Sequence, residues 1–403
     1  MRKTKSTHHT PHAIEAKHTH QTSPASHEAQ EQASPSFQAM AKLEKPAWYK
    51  TQAGKITVFA ITAVILIAGA TWYSYVASRS RIEAAPQASS ASATPSESPK
   101  PVTAESALTG MLVTPELATK PVMSVVIENL FPDARPQSGL SQAGVVYEAL
   151  AEGGITRYIA FYQTDIPTDI GPVRSLRPVF YQMGTEYNAP VAHIGGSTDG
   201  LALAQNDRNF KDMDQFYNGA YFRRITARWA PHNVYIYGDS LKKMVQDKGW
   251  YTPPTFAAWK RKDDSPSASP NATRITADFS YADYTASFQY DAPSNSYMRS
   301  VGAKPDLDAA NGQKQVAPKT VIVLYAATTY GTQPNGKPKT DINLIGNGKA
   351  VLFQDGIATE CTWKKASDKG RLTLTDTSGN EVALNRGQSW VSIVPAGRPV
   401  IWQ

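Results

Sequence analysis

The stretch that decides the fold opens as Glu152-Gly153-Gly154-Ile155-Thr156-Arg157. It runs on through Tyr158-Ile159-Ala160-Phe161-Tyr162-Gln163 and closes as Gly171-Pro172-Val173-Arg174-Ser175-Leu176-Arg177-Pro178. Its middle, 156–163, is a short run of aromatic and apolar residues and reads as a strand. Its close reads as a helix start, with Ser175 as the cap and Pro178 in the first turn, where a missing N–H costs little. A helix over 175–187 is therefore expected. Gly-rich backbone, three arginines and Glu152 in one stretch make a mixture that a purely structural segment rarely needs.

Working outward, strands are expected over 122–127, 144–150, 189–194 and 234–237. Asp239 should cap a helix through Leu241, Met244 and Val245, closed at Gly249. Residues 110–262 thus read as an α/β or α+β ectodomain. The polar run 263–272 reads as a hinge. Beyond it, 273–403 is strand-like nearly throughout, with turns at Asn347-Gly348, Asp355-Gly356 and Ser378-Gly379, and reads as a β-rich C-terminal domain.

The N-terminal part is of another kind. Residues 1–55 are polar, hold six of the chain's eight histidines and carry a net +4, which fits a disordered basic tail. The 22 residues 56–77 hold no charge and are long enough for one transmembrane helix, with Trp72, Tyr73 and Tyr75 at its far end. Some 50 residues precede it, so an uncleaved anchor is expected rather than a cleaved signal peptide. Lys42, Lys45, Lys50 and Lys55 before the span outnumber Arg79 and Arg81 after it. The tail is therefore expected in the cytoplasm, and the rest outside a plasma membrane crossed once. Residues 78–109 read as an Ala/Ser/Pro linker.

The overall charge of +7 falls to +3 for residues 110–403, so basicity gives no reason to expect a nucleic-acid partner. One cysteine, Cys361, excludes intramolecular disulfides and Cys-rich metal sites. Asp306 to Gly312 has a calcium-loop flavour, but the spacing is wrong and the closing Glu is missing, so no metal and no cofactor are expected. Walker, His-Glu-x-x-His and Gly-x-Ser-x-Gly motifs are absent.

Four clusters carry candidate chemistry: Glu152 with Arg157; Arg174, Ser175 and Arg177; His193 with Gly195, Gly196 and Ser197; and His232 with Asn233. Glu152, His193 and His232 are candidate proton-transfer groups. The arginines, Ser175, Gly195, Gly196, Ser197 and Asn233 are candidates for holding an anionic ligand.

These clusters also carry a resemblance. Ala134 to Leu140, Tyr147 to Arg157, Ile170 to Ser175, His193 to Ser197, Ala230 to Asn233, Tyr297 to Arg299 and Gly387 to Val391 resemble the YerB-like bacterial proteins with paired N- and C-terminal DUF3048 regions, over about 118–396. The resemblance implies an extracytoplasmic, envelope-associated protein without an established activity. Members are often lipid-anchored through a cysteine. This chain has the apolar span and no such cysteine, and Pro305 stands before Asp306 where many members carry histidine. Two functions fit. One is an envelope protein that binds or processes a cell-wall glycan, such as peptidoglycan, or another anionic ligand. The other is a non-enzymatic scaffold that recruits wall-synthesis or division proteins.

Overall fold

The computed structural model describes residues 68–75 and 102–403. The chain divides into two units, Met1–Ser96 and Glu97–Gln403. In the first, 68–75 are helical. The expected tail 1–55 and the rest of the expected span 56–77 lie outside the described residues. Among the described residues no helix is long and apolar enough to cross a membrane. Of the expected linker, 78–101 also lie outside, whereas 102–109 are already part of the fold. Ala104–Glu105 pairs with Leu112–Val113, Leu108 is buried, and Ser106 Oγ donates to Gln163 Oε1 at 2.8 Å.

One large mixed sheet dominates. In chain order its strands are Met123–Glu128 (β1), Val145–Leu150 (β2), Thr156–Tyr162 (β3), Val191–His193 (β4), Asp212–Asp214 (β5), Thr320–Thr332 (β6), Pro338–Asn343 (β7), Gly346–Gln354 (β8), Ile357–Lys365 (β9), Thr373–Thr375 (β10) and Ser389–Pro395 (β11). The order across the sheet is β10-β9-β8-β6-β11-β2-β3-β1-β4-β5, with β7 paired on the outer half of β6. Every residue of β1, β2 and β3 is buried, which is why they are mostly apolar; the exceptions, among them Glu128, Glu148 and Arg157, are paired inside the fold.

Three helices matter for the site: Pro178–Glu186 (α1), Thr198–Asn206 (α2) and Gly238–Asp247 (α3). Val179, Phe180 and Met183 of α1 pack with Ile159, Phe161 and Val391 from one face of the sheet. Leu241, Met244 and Val245 of α3 join Val125, Tyr158 and Val323 from the other face, together with a second sheet. That sheet runs Lys304–Pro305, Ser296–Val301, Ala286–Asp291, Arg274–Ala277, Val400–Trp402, antiparallel throughout.

The structure corrects three local readings. Ser175 does not cap α1: Arg177 holds the cap position without a side-chain bond, and Pro178 alone sets the start. Asp239 lies inside the first turn of α3 rather than before it. Helix α2 was not expected, although Ser197 caps it by accepting from Gly200 N at 3.2 Å. The larger departure is in organisation. Strand β11 pairs in parallel with β2 from Ser389↔Val145 to Ile393↔Ala149, and with β6 on its other side. Residues from both sides of 263–272 therefore build one sheet and share both cores.

A buried ion cluster ties the halves together. Arg299 is fully buried; its Nη2 donates to Glu148 Oε2 at 2.7 Å and its Nη1 to Asp306. Its guanidinium lies 4.1 Å from the centre of the Trp390 ring. Asp308, in the stretch read as calcium-like, instead accepts the backbone N–H groups of Gly139, Ser141 and Ala310. Removing the arginine alone leaves two carboxylates buried without their cation. Arg299→Ala is expected to cost about 3–5 kcal/mol, measured by urea unfolding. A loss below about 1 kcal/mol would show that the cluster is not what joins the halves.

Candidate functional site

Strands β1, β2, β4, β5, β6 and β11 all run the same way, because β3 is antiparallel to both β1 and β2. Their carboxyl ends lie along one margin, where mixed and parallel sheets commonly place ligands. Glu128 ends β1, Glu152 follows β2, and His193 ends β4 with Gly195, Gly196 and Ser197 beyond it.

Glu152 sits there because the β2–β3 turn demands it. Ala151 N bonds Ile155 O at 2.8 Å, and the turn between needs positive φ at two consecutive residues, +65° at Gly153 and +75° at Gly154. A Cβ on Gly154 would also strike the Tyr281 ring. The carboxylate of Glu152 is gripped on both oxygens. Arg177 donates Nε to Oε2 at 2.7 Å and Nη2 to Oε1, and Arg157 Nη2 lies 3.4 Å from Oε1. Arg157 also donates to Ser175 O at 2.8 Å, and Arg177 Nη1 to Leu176 O at 2.7 Å. Burial by itself would raise the Glu152 carboxyl, but Arg157 and Arg177 outweigh it and hold the group at about 2. A carboxylate so acidic is a poor proton acceptor near neutrality. Glu152, Arg177, Ser197, Gln333, Lys339 and Asp341 surround a space of about 10 Å³, room for one water at most.

A second group forms on Glu128, which the sequence reading did not single out. Its carboxylate is 3% exposed; Oε1 accepts Arg174 Nε at 2.8 Å and Oε2 faces His232 Nδ1 at 2.9 Å. A carboxylate only accepts, so Nδ1 donates and His232 turns Nε2 outward. Glu128 and Arg157 are cross-strand partners, so the two groups adjoin. The only forewarning was a charged residue closing an apolar strand.

The remaining candidates are spent elsewhere. His193 is fully buried, with Nδ1 2.9 Å from Gly195 O and Nε2 2.9 Å from Asp212 Oδ1. With no exposure and both ring nitrogens engaged inside the fold, the ring ties strand β4 to its neighbours in the scaffold rather than reaching a substrate. Gly195 N donates to Asp214, and its φ of +55° with the Phe216 ring overhead explains the glycine. Gly196 bridges Leu176. Asn233 uses its amide to close the 225–233 loop, accepting from Arg224 at 2.8 Å.

Comparison with known proteins gives the family. Residues 108–251 match the N-terminal domain model, and 275–391 the C-terminal domain model, of the protein family of unknown function DUF3048. The chain belongs to the DUF3048 family. A relative from Bacillus subtilis (strain 168), "Putative lipoprotein YerB", is 30% identical over 292 residues, covering 72% of this chain and 85% of its own. The crystal structure of YerB from Bacillus subtilis superposes with a TM-score of 0.65 at 28% identity, over 74% of this chain and 99% of the other. The strand-end groups, from Glu128 to Asn233, fall in the N-terminal DUF3048 segment. The C-terminal segment supplies Arg299 and Asp306, and through Gln333 and Lys339 the cover over Glu152.

The grip on Glu152 has a pH signature. The folded value lies below the ordinary 4.5, so its contribution is complete above about 4.5 and is lost as pH falls toward 2. The melting midpoint of the wild type should fall through that window more steeply than that of Glu152→Gln at matched ionic strength. Parallel curves would show that the arginines do not clamp it.

Proposed function

We propose that this chain is an extracytoplasmic protein of the bacterial envelope, held at the plasma membrane through its N-terminal region, and that it binds the anionic part of a wall glycan between Arg174 and His232. One observation carries the binding reading. Glu128 fixes each side chain by a single nitrogen, leaving Arg174 Nη1 and Nη2 and His232 Nε2 with no hydrogen-bond partner among the described residues. Both side chains keep some exposure, 22% and 16%. A carboxylate or phosphate between them would receive charge-assisted bonds from Arg174, already held in place, and a further one from His232 Nε2 whenever the imidazole carries its second proton. The anchor rests on the apolar run 56–77 and on a relative named as a lipoprotein.

Binding is favoured over turnover because two of the three candidate proton-transfer groups are occupied: Glu152 is clamped by arginines, and His193 is fully buried with both ring nitrogens engaged. The closed Glu152–Arg157–Arg177 group favours, for those residues, the scaffold reading, in which they hold the strand ends rather than a ligand.

The test uses full-length protein in detergent. Its probes are soluble wall disaccharide-peptides with free carboxylates and the same fragments amidated. Arg174→Gln and His232→Gln should each weaken binding of the free acids by about tenfold, and amidated fragments should bind the wild type no better than the acids bind the variants. Equal binding by wild type and variants, or none by the wild type, would sink the reading.

A further inference from the structure

Among the described residues the second sheet ends at Val400–Trp402, with no further strand beside it. Arg274 and Gln403 exchange both backbone bonds at 3.1 Å, and Asp278 N bonds Pro399 O at 3.1 Å. With Thr276 opposite Ile401 between them, the alternation of an antiparallel pair turns the N–H and C=O groups of Val400 and Trp402 away from the sheet. Natural edges are usually blunted by charge, yet this strand carries none and its Ile401 side chain is 65% exposed.

A groove lies alongside. Trp402 packs on the large sheet at Phe353, with ring centres 5.6 Å apart. Beyond that contact lies a cleft of about 740 Å³, with Tyr325, Val351 and Trp402 as apolar walls and Lys349, Glu360 and Thr362 on β8 and β9. That volume lies within the usual range for ligand sites. Lys349 opposes Thr362 and Val351 opposes Glu360, so Lys349 and Glu360 are diagonal neighbours on one face. Neither makes an ion pair among the described residues; the charged pairs of β8 and β9 lie elsewhere, as at Lys365–Glu186.

We propose that this groove takes up an extended peptide segment of a partner protein as an added strand along Val400–Trp402. The backbone of the edge supplies hydrogen bonds, the apolar walls take a side chain such as valine, and Glu360 and Lys349 pair with one basic and one acidic residue of the segment. Main-chain pairing plus alternate side-chain pockets is the physics of strand addition. A second copy of this chain is a poorer occupant, because a three-residue edge offers little area for a stable dimer. Nothing in this site depends on Arg174 or His232.

The probe is an acetylated, amidated hexapeptide alternating valine with lysine, threonine and glutamate, titrated into the full-length chain in detergent by Trp fluorescence and calorimetry. Saturable binding is expected. N-methylation of the peptide at alternate residues should weaken it by about tenfold, the scale of one or two backbone hydrogen bonds. Val400→Pro, which removes the outward N–H and also changes a side chain packed on the core, should do the same, with its melting midpoint measured alongside. Thr362→Trp, which fills the groove without touching the edge, gives the same loss if Val400→Pro destabilises the strand. The proposal is overturned by absence of saturable binding, by binding indifferent to N-methylation and to Thr362→Trp, or by self-association of the chain that Val400→Pro abolishes.

Discussion

Arg299 is the side chain on which the rest of the structure depends. A guanidinium with no exposure must be matched by charge and by hydrogen bonds, or it is not tolerated. Its partners come from distant parts of the chain: Glu148 on β2, Asp306 just past its own strand, and the face of Trp390 on β11. Burial works against the charge, and Glu148 and Asp306 more than restore it. Glu148 in turn accepts Trp390 Nε1 at 3.2 Å and Thr156 Oγ1 at 3.0 Å. Thr156 accepts Asn129 Nδ2 at 2.6 Å, and Asn129 Oδ1 receives Arg135 and Gln137. A continuous polar chain therefore runs from the joint between the two segments to Asn129, the neighbour of Glu128. The strand-end groups are held from behind by the same network that joins the halves.

The network also explains what the amino-acid sequence discloses and what it withholds. β1, β2 and β3 are legible because strands buried on both faces are largely apolar, their few charged residues being paired inside the fold. α3 is legible because its buried residues recur at helical spacing. The parallel pairing of β11 between β2 and β6 is not legible: it joins Ser389 to Val145 and to Thr320, both far off in the chain, and no local periodicity encodes a partner. For the same reason a split at 263–272 looked like a domain boundary. The composition changes there, while the sheet does not. α2 was missed because its start follows two glycines that favour a loop, and Ser197 was weighed as a ligand rather than as a cap.

The site divides along the same line. The arginines, Glu152 and His232 stand out locally, since charge beside Gly and Pro at strand ends is conspicuous. Their pairings do not. Glu128 looks like the polar end of a strand until the fold brings Arg174 and His232 to it from 46 and 104 residues away. His193 misled in the opposite sense. A histidine before Gly-Gly-Ser suggests chemistry, but its place on a buried strand gives it two acceptors and no access.

Two carboxylates at one sheet margin thus have different fates, and the difference is a matter of counting donors. Glu152 faces two arginines: Arg177 spends all three nitrogens on Glu152 and Leu176 O, and Arg157 spends Nη1 on Ser175 O and Nη2 on Glu152. The β6–β7 hairpin then covers what is left, with Gln333 accepting from the Thr198 N–H and Lys339 pairing with Asp199 at 2.5 Å. Glu128 faces one arginine and one histidine and takes a single nitrogen from each. Charge is similar at the two places, but accessible unspent hydrogen-bonding capacity exists at only one: Arg157 Nε also lacks a partner, yet it is buried, whereas Arg174 keeps 22% of its side chain exposed. An incoming anion at Glu152 would have to break internal pairs before making its own, whereas at Glu128 it adds to donors already oriented by their other bond. Recognition is therefore expected at the group with the fewest internal bonds rather than at the one with the most arginines.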